Sequence, residues 1–395
     1  MCVKVGLPTK AHPCIMATMQ TRFISTDEEL IALKEDWNRL TASRPETDMP
    51  FYSWDWFYHS WLHFDKPDGQ ELCIVTVNEG EQLVGVLPLV CGARKSSGMT
   101  YKVLCFNSVG LMPRNTIYTD ARQDQEPVFC AVWNHLFENR PVWDMIELAN
   151  IPDSSLFHRF VLEGRHAAKY ALIQDQGLIA SYIELTGTLD DYLNSLHKGA
   201  RKDLRKHVKH FDESGASHSV RFFEKPDEML EGLQHLETVH KNSWKGSSGN
   251  PLHPRFYQEV TPILAEQGEA KVAIAFLDDV PIGAAYMLCK SGVYYGCIRD
   301  YDQKYKEYAP GILLLDYQLE HLLKEGGKIF DFCGTGSDHK EKFGTGHHNH
   351  SIFQIFHSGW KSRFVYSSKT FLLPMLRKIL RKPADSDFVS CRNEL

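Results

Sequence analysis

The chain has 395 residues, of which 43% are hydrophobic and 24% are charged, as in an ordinary globular protein. This composition excludes collagen-like, low-complexity and wholly disordered chains, and no apolar run reaches the ~20 residues that a membrane-spanning helix needs. The net charge of −6 argues against a general nucleic-acid coat, so we exclude DNA as a partner.

The length predicts two or three domains, at ~150 residues for each. Residues 1–190 contain 16 Lys/Arg against 24 Asp/Glu, whereas residues 191–395 contain 28 against 26. An anionic ligand is therefore expected in the second half. The ten cysteines form no C-x-x-C pair, which is typical of free thiols in a reducing compartment. Residues 1–20 lack the apolar core of a signal peptide and are predicted to be a flexible leader of a cytoplasmic protein.

The first half shows the pattern of an α/β domain. A helix-like run around Phe57-Tyr58 precedes a strand-like run at 72–77, a polar turn and a second strand at 83–90. Short turns of Gly and acidic residues between β-rich runs predict hairpins. A helix-like run at 133–138 and a buried-looking strand at 143–148 follow.

The second half repeats this order. Phe256-Tyr257 follows Phe57-Tyr58 at an offset of 199 residues, and Gly268 follows Gly69 at the same offset. The corresponding hairpin, helix and strand segments lie at 271–276, 281–288, 319–324 and 328–332. Glu147 then falls opposite Asp331. We infer two related α/β (α+β) domains, at 21–186 and 187–370.

The strongest predicted helix lies at the junction of the two domains. Apolar residues recur at helical spacing between Leu193 and Phe211, and Asp190 or Thr188 is the expected N-cap. The opposite face is basic and is interrupted only by Asp203.

Four segments of the second half resemble a known family. They are HKGARKDLRKHVKHF at 197–211, NSWKGSSGNPLHPRFYQEV at 242–260, residues 294–326 and DFCGTGSDHKEKFG at 331–344. Together they resemble the GNAT-like acyltransferase domain of the cellulose-biosynthesis CelD-type proteins and, more distantly, the FemAB-type aminoacyltransferases. In the first half, PFYSWDWFYHSW at 50–61 and VGVLPLV at 84–90 resemble the N-terminal part of the same proteins. The resemblance implies two tandem GNAT-like domains, each a mixed, mainly antiparallel sheet flanked by helices.

A loop before an apolar helix is the predicted donor site. It consists of Tyr308, Ala309, Pro310, Gly311, Ile312 and Leu313. Free N–H groups at a helix start bind phosphate, and Gly allows close approach of a ligand. The resemblance implies that this segment receives the pyrophosphate of acetyl-CoA or a longer acyl-CoA. A capped structural helix is the alternative.

The predicted catalytic residues follow the last strand of the second half. Asp331 stands at a strand end before a Gly-rich loop, where a carboxylate can act as a general base. Lys340 can stabilise a developing oxyanion, and His339 is the alternative base. The resemblance favours Asp331 and Lys340 over His339. Tyr301 is the proposed proton donor to the leaving group. The structural alternatives are a strand-end carboxylate bonded to backbone amides and a solvated lysine.

Aromatic and basic side chains are candidates for binding the acceptor. Trp244 lies in a Gly/Ser-rich loop, and Trp54 and Trp56 lie in an aromatic segment of the first half. Arg201 and Arg205 lie on the basic helix and can attract an anionic acceptor. Core packing of the tryptophans and a solvated helix face are the alternatives.

Two further patterns carry weaker predictions. His347, His348 and His350 cluster near His339, but no acidic or cysteine partner has suitable spacing, so no metal site is predicted. Residues 369–382 form a basic amphipathic segment, and 371–395 are predicted to be a tail. An amphipathic segment of this kind can bind an anionic membrane surface, so peripheral contact with the inner membrane is an alternative to packing on the domain.

The sequence therefore predicts an acyl-CoA-dependent N- or O-acyltransferase that acts on an amine or hydroxyl acceptor. The resemblance suggests a sugar of envelope or exopolysaccharide biosynthesis as that acceptor. A FemAB-type transferase that uses aminoacyl-tRNA is the second hypothesis, weakly supported by the basic helix. An inactive GNAT-like interaction module is the third.

Overall fold

The computed structural model describes residues 19–96, 98–107, 111–139, 143–163, 170–212, 217–249, 252–334 and 338–372. Most of the predicted leader and tail, with most of the segment at 369–382, lies outside these residues. Within them the strands are β1 (Met19–Ile24), β2 (Glu71–Leu72), β3 (Ile74–Glu79), β4 (Gln82–Leu87), β5 (Leu89–Ser96), β6 (Met99–Phe106), β7 (Tyr118–Thr119), β8 (Met145–Pro152), β9 (Ala171–Glu184), β10 (His218–Phe223), β11 (Ala270–Leu277), β12 (Val280–Lys290), β13 (Val293–Tyr301), β14 (Ile329–Asp331) and β15 (Gly346–Phe356).

The helices in the same residues complete the α/β architecture. They are α1 (Asp27–Ala32), α2 (Lys34–Thr41), α3 (Trp54–Ser60), α4 (Gln125–Glu138), α5 (Leu156–Glu163), α6 (Leu189–Ser195), α7 (Lys198–Asp212), α8 (Met229–Asn242), α9 (Trp244–Ser247), α10 (Pro254–Glu266), α11 (Pro310–Lys324), α12 (Asp338–Phe343) and α13 (Trp360–Ser367). No helix in the part of the chain that the structure describes is long and apolar enough to cross a bilayer.

The chain forms two compact units. Among the described residues, the first unit comprises 19–178 with 349–372, and the second comprises 179–348. The division falls inside β9 and inside β15. The domain boundaries near residues 20, 186 and 370 remain predictions.

The first unit contains two groups of strands. One is a four-stranded sheet in the order β1-β3-β4-β7, and the other runs β15-β8-β6-β5-β2. Strands β6 and β8 pair in parallel. Pro88 stands between β4 and β5 and separates the two groups, because proline has no N–H for a strand ladder.

The second unit contains one run of strands in the order β10-β11-β12-β13-β14-β9. Strand β12 is uninterrupted and pairs with both β11 and β13 in antiparallel register. Strands β13 and β14 pair in parallel. The predicted fold class, mixed and mainly antiparallel sheets flanked by helices, is confirmed.

The internal repeat is visible in the backbone of each unit. Gly69 and Gly268 follow corresponding helical segments with φ of 73° and 72°, which is the left-handed region that glycine tolerates best. Both hairpins also carry a register shift at the same place, after Val77 in one and after Ala275 in the other. The sequence repeat therefore reflects a repeated supersecondary structure.

The predicted basic helix differs in one respect from the structure. It is divided into α6 and α7 by an extended residue, Leu196, with ψ of 148°. Thr188 forms the N-cap of α6 in a capping box with Asp191, so Thr188 rather than Asp190 is the cap. The Nδ1 atom of His197 accepts the N–H of Gly199 at 3.2 Å, which gives α7 a start of its own.

Two equivalent glycines allow a helix to pack closely on each hairpin. A Cβ atom on Gly85 would lie 2.4 Å from Val128 Cγ1 of α4, and one on Gly283 would lie 2.8 Å from Pro310 Cβ of α11. We expect Gly85→Ala and Gly283→Ala each to lower the free energy of unfolding by about 1–3 kcal/mol, since overpacking forces neighbouring groups apart. Denaturant unfolding measures this loss.

Gly199→Ala is the matched control, since its Cβ would make only ordinary contacts, the nearest at 3.5 Å. Its stability should stay equal to that of the wild type or rise, because alanine favours helix. Unchanged stability of the Gly85 and Gly283 variants would contradict the close packing.

Candidate active site

The parallel pair of β13 and β14 extends over only three residues. Its last pair joins Tyr295 to Asp331. Beyond it the N–H of Phe332 donates to Ser181 O at 3.0 Å, so the chain continues along β9, while β13 runs on to Tyr301. We call the region beyond Tyr295 and Asp331, where β13 and β14 no longer pair, the strand cleft. Backbone groups of β13 that face this cleft lack a strand neighbour among the described residues.

A bulge lies in β13 at the start of the strand cleft. Tyr286 pairs with Ile298, whereas Met287 pairs with Gly296, which leaves Cys297 as the extra residue. Bulges of this kind redirect the side chains that follow them. Arg299 and Asp300 come next and face opposite sides of the sheet, as consecutive strand residues do.

Asp331 lies at the apex of the strand cleft. Its residue is only 1% exposed, and its Oδ1 atom accepts the N–H of Cys333 at 2.8 Å. Cys333 has a φ of 52°, so the chain turns sharply directly after the strand. The structural alternative, a strand-end carboxylate that accepts a backbone amide, is thus part of the observed geometry. That bond also fixes the orientation of the carboxylate.

Lys340 reaches the same apex from α12. Its Nζ atom donates to Phe332 O at 3.4 Å, and a Cβ on Gly334 would lie only 3.0 Å from it. Burial lowers the pKa of Lys340 to about 8; Cys333 and Asp331 oppose this shift, while the nearby cations Lys245 and Arg299 add to it. Part of the side chain nevertheless stays accessible, as expected for a group that lines a cleft.

Asp300 anchors a buried ionic cluster on the other face of β13. Its Oδ2 atom lies 2.8 Å from His240 Nδ1, and its Oδ1 atom lies 3.1 Å from Lys245 Nζ. Burial raises the pKa of Asp300, but the hydrogen bond from His240 and the charge of Lys245 outweigh burial and lower it overall. The carboxylate is thus held ionised beside the strand cleft.

The segment that carries Lys245 requires a glycine. A Cβ on Gly246 would lie 2.3 Å from His240 O, so only glycine permits this tight step from α8 to α9. Sequence reasoning selected Trp244 and missed Lys245, His240 and Asp300. The Trp-Lys pair before a Gly/Ser-rich run was the available signal, but Asp300 lies 60 residues away from His240 in the chain.

The predicted donor loop leads into α11. Ala309 adopts a φ of 47° and precedes Pro310, the first residue of the helix. The N–H groups of Ile312 and Leu313 already donate to Ala309 O, at 2.9 and 3.2 Å, and Pro310 has none. In this first turn the Gly311 amide is therefore the group that can donate to a ligand. The Leu313 side chain is buried in the core, so it contributes packing rather than a ligand contact.

The other predicted residues of the second unit are dispersed. Trp244 is 46% exposed at the start of α9, and Tyr301 ends β13 with part of its surface accessible. Tyr308, just before α11, is likewise partly accessible. Arg201 donates to Asn194 Oδ1 at 3.2 Å on the surface. The side chains of Arg205 and His339 lie outside the described residues.

Trp54 and Trp56 belong to the core of the first unit. They are 4% and 1% exposed, and Trp54 donates its Nε1–H to Leu30 O at 2.8 Å. The Trp54 ring stacks on Tyr58 with 4.4 Å between centroids. The structure therefore gives both rings the packing role that was the alternative. Buried rings have no free face for a sugar, so we do not propose them as acceptor contacts.

The first unit has an equivalent apex with a different charge environment. Cys105 and Glu147 form the last pair of β6 and β8, so Glu147 corresponds to Asp331. Arg94 Nη1 lies 2.8 Å from Glu147 Oε1, and Gln354 donates to Oε2 at 3.3 Å. The carboxylate of the first unit is thus neutralised by an ion pair.

Acidic and histidine side chains of the second unit converge at one further place. Glu224, His321 and Glu325 bring potential metal-ligand atoms within 4.8 Å of one another. Lys271 Nζ lies 3.0 Å from Glu325 and contacts Glu224 as well. The ammonium group of Lys271 therefore stands where a metal ion would bind. In the predicted histidine cluster, His348 stacks on Tyr182 at 4.6 Å.

Comparison with known families identifies the core of this unit. Residues 198–341 match the family described as acetyltransferase (GNAT) domain. The matched part of the second unit is therefore similar to the GNAT acetyltransferase domain. The matched residues include α8, β13, α11 and β14, so they contain the strand cleft and its charged residues.

Solved structures with the same fold cover most of the chain. A structure of FemX is 11% identical, with a TM-score of 0.50, and the match covers 78% of this chain and 92% of that one. A conserved protein of unknown function from Bacteroides thetaiotaomicron VPI-5482 is 9% identical, with a TM-score of 0.51 over 85% and 100%. The C-terminal domain of a putative lysylphosphatidylglycerol synthetase from Agrobacterium fabrum is 12% identical, with a TM-score of 0.50 over 86% and 96%. At these identities the likeness concerns the fold. The comparison with curated protein sequences gives no match.

The low pKa of Lys340 makes the stability of the protein depend on pH. The unfolded chain binds more protons than the folded one between about pH 8 and the ordinary lysine value of ~10.4, so stability rises with pH across this window. At pH 7 Lys340→Met should raise the free energy of unfolding by about 1–3 kcal/mol. The gain should vanish near pH 10.

Denaturant unfolding at pH 7 and pH 10 measures this difference. Lys342→Met is the control, because Lys342 forms an exposed ion pair with Asp203 and its removal should change little. A Lys340→Met variant that is less stable than the wild type at both pH values would show that the folded protein stabilises the charge.

Proposed function

We propose that the chain is an acyltransferase that moves an acyl group directly from an acyl-CoA to an amine or hydroxyl acceptor in the strand cleft of the second unit. The observation that carries the proposal is the separation of β13 and β14 directly after Asp331, with Lys340 beside that apex. A carboxylate, a cation and the edge of β13, which has no strand neighbour there among the described residues, then meet where an acyl carbon can lie.

Asp331 is the general base in this proposal. It takes the proton from the attacking nitrogen or oxygen, directly or through one water, as the new bond to the acyl carbon forms. The N–H of Cys333 donates to one carboxylate oxygen and thereby also fixes the orientation of the other oxygen. His339 stays the alternative base.

Lys340 and the β13 amides stabilise the negative charge that develops on the acyl oxygen. Donors placed before the reaction are effective in such a site, because they need no reorganisation as charge develops. When the carbon–sulfur bond breaks, the thiolate receives a proton from the Tyr301 hydroxyl. Tyr301 ends the strand that borders the cleft.

The donor's phosphates bind at the start of α11 in this proposal. The Gly311 amide and the positive end of the helix dipole favour an anion there. Tyr308 precedes the helix and borders the same site. Acetyl-CoA and longer acyl-CoAs are the expected donors. A sugar hydroxyl or amine remains the suggested acceptor, on the family resemblance alone.

A FemAB-type transferase that uses aminoacyl-tRNA is the second candidate. The observation that favours it is the surface of α7, on which Lys198, Lys202 and Lys206 are exposed. Such a basic stripe attracts a phosphate backbone. The third candidate, an inactive module, is distinguished from both by the absence of any acyl transfer.

Thermal stability with different ligands tests the donor. A ligand at 100 times its dissociation constant stabilises a protein by about 2.7 kcal/mol. We expect acetyl-CoA or a longer acyl-CoA to raise the melting temperature, and ATP at the same concentration to have no effect. If no acyl-CoA of any chain length changed the melting temperature, this result would contradict the acyl-CoA donor and favour the second or third candidate.

Asp331→Asn tests the base. The variant should lower kcat by about 100-fold or more, because general acid–base catalysis contributes factors of this size. The dissociation constant of the donor should change by less than about twofold, because Asp331 makes no phosphate contact in the proposal. Release of free CoA gives kcat, and calorimetry gives donor binding.

Asp279→Asn is the control for this substitution. Asp279 lies in the exposed turn between β11 and β12 with a φ of 62°, a conformation that asparagine also adopts well. Its kcat should equal that of the wild type. An equal loss of donor binding and turnover in Asp331→Asn would exclude the base assignment.

A further inference from the structure

Helix α13 of the first unit exposes aromatic residues and buries serines. Trp360 and Phe364 are 72% and 40% exposed, and Phe371, in the helical turn after α13, is 68% exposed. Ser362 and Ser368 of the same segment are buried instead. A surface helix ordinarily turns its apolar residues to the core and its small polar residues to the solvent. This reversed arrangement indicates that the exposed aromatic residues have a partner outside the chain's own core.

The exposed aromatic residues are concentrated in one place. Three of the eight large apolar side chains that are exposed among the described residues lie within this segment of twelve residues. Trp360 and Phe364 are four residues apart and therefore lie on the same face of the helix. We call Trp360, Phe364 and Phe371, with their neighbours Lys361 and Arg363, the aromatic surface.

The inner side of this segment is anchored on the first unit. The Tyr366 ring contacts the Phe356 ring of β15, with 5.4 Å between the centroids, and Val365 is buried. Lys369 is also directed inward, because burial lowers its pKa and the attraction of Glu147 opposes this shift. The aromatic surface is thus presented by an element that is packed on its other side.

The charge around the aromatic surface is positive. Lys361 Nζ lies 5.8 Å from the centroid of the Trp360 ring, and Arg363 is exposed. Residues 360–384 contain seven Lys/Arg and no Asp/Glu, whereas the whole chain has a net charge of −6. This part of an otherwise acidic protein therefore favours a partner with a negatively charged surface.

An anionic membrane surface satisfies both the apolar and the electrostatic requirement. Aromatic side chains enter the boundary between headgroups and acyl chains, and lysine and arginine beside them attract anionic headgroups. Helix α13 has eight residues, too few to span a bilayer, and it therefore lies in the plane of the surface. A protein partner is less favoured, because protein interfaces are depleted of lysine.

We propose that the aromatic surface binds a bilayer that contains anionic phospholipid. Trp360, Phe364 and Phe371 insert below the headgroups, and Lys361 and Arg363 lie at the level of the phosphates. This inference goes beyond the proposed acyl transfer and does not depend on it, because a chain without transferase activity binds the membrane in the same way.

Cosedimentation of the full-length protein with vesicles tests the proposal. Vesicles of phosphatidylcholine and phosphatidylglycerol are compared with vesicles of phosphatidylcholine alone. We expect binding to the mixed vesicles to be about 10-fold tighter or more, and to weaken as salt is added, since salt screens the attraction. Equal binding to both kinds of vesicle would contradict the anionic partner.

A triple variant of the aromatic residues carries the main test. Trp360→Ser with Phe364→Ser and Phe371→Ser should weaken binding to the mixed vesicles by about 100-fold or more, because all the inserted rings are lost. Ile31→Ser with Leu156→Ser is the control, since these side chains are 50% and 46% exposed elsewhere on the first unit. The control should bind as the wild type does. Melting temperatures of both variants should stay near that of the wild type, because the substituted side chains are exposed.

A double variant tests the basic residues. Lys361→Gln with Arg363→Gln should weaken binding at low salt by about 10- to 30-fold, because each basic residue near an anionic surface contributes to the attraction. Arg22→Gln with Arg159→Gln lowers the net charge by the same amount, at exposed positions of the first unit that pair with glutamates. This control should weaken binding by less than about threefold. An equal loss in both double variants would show a general effect of charge and contradict the assigned surface.

Tryptophan fluorescence locates the contact in the bound state. Lipids brominated on their acyl chains should quench the emission of the bound wild type, because Trp360 reaches those chains. Trp360→Phe should lose most of this quenching and keep its affinity within about threefold, since phenylalanine also inserts. Undiminished quenching in bound Trp360→Phe would place the contact elsewhere and overturn the proposal.

Three further results would overturn it. The first is a wild type that binds no mixed vesicles, and the second is a triple serine variant that binds them as tightly as the wild type. The third is a wild-type dimer, seen by sedimentation velocity, that the triple variant converts to a monomer while neither protein binds vesicles. That result would make the aromatic surface an interface between two copies of this chain.

Discussion

Strands β13 and β14 separate after three paired residues, and the site described above depends on that separation. A parallel pair that continued would have used the backbone groups of β13 for a ladder and buried Asp331 between two strands. Instead the chain turns at Cys333 and follows β9, which exposes one edge of β13 to the cleft. The bulge at Cys297 lies at the same level, so that strand separation and side-chain redirection occur together.

Charge in the cleft is arranged in two layers around β13. On one face Asp300 is ionised and held by His240 and Lys245, which is a closed and internally satisfied cluster. On the other face the Arg299 guanidinium donates to the Gln318 amide and lies over the Phe330 ring. Lys340 lies near both Lys245 and Arg299; its burial, with smaller contributions from these two cations, lowers its pKa to about 8.

The two units share a supersecondary structure but differ in the continuity of the sheet and in the surroundings of the carboxylate at the apex. Their hairpins, helix packing and short parallel pairs correspond, down to the glycines at 85 and 283. In the first unit Pro88 divides the sheet, and Arg94 neutralises the apex carboxylate of Glu147.

The sequence by itself determined the elements and their order. Local features are sufficient for that: period-two runs for the strands, the Asp278-Asp279 turn, the capping box of Thr188, and the repeat that relates the two units. It also singled out Asp331 and the start of α11, which lie at the ends of elements, and Lys340 in the first turn of α12; their roles stay predictions. Tertiary structure alone decided that Trp54 and Trp56 are core residues. The same aromatic sequence pattern is compatible with rings that face solvent and with rings that pack against a neighbouring element. Tertiary structure also alone joined His240, Lys245 and Asp300 and placed Arg299 beside the Gln318 amide and two aromatic rings. Those relations depend on contacts between residues far apart in the chain, which local patterns do not encode.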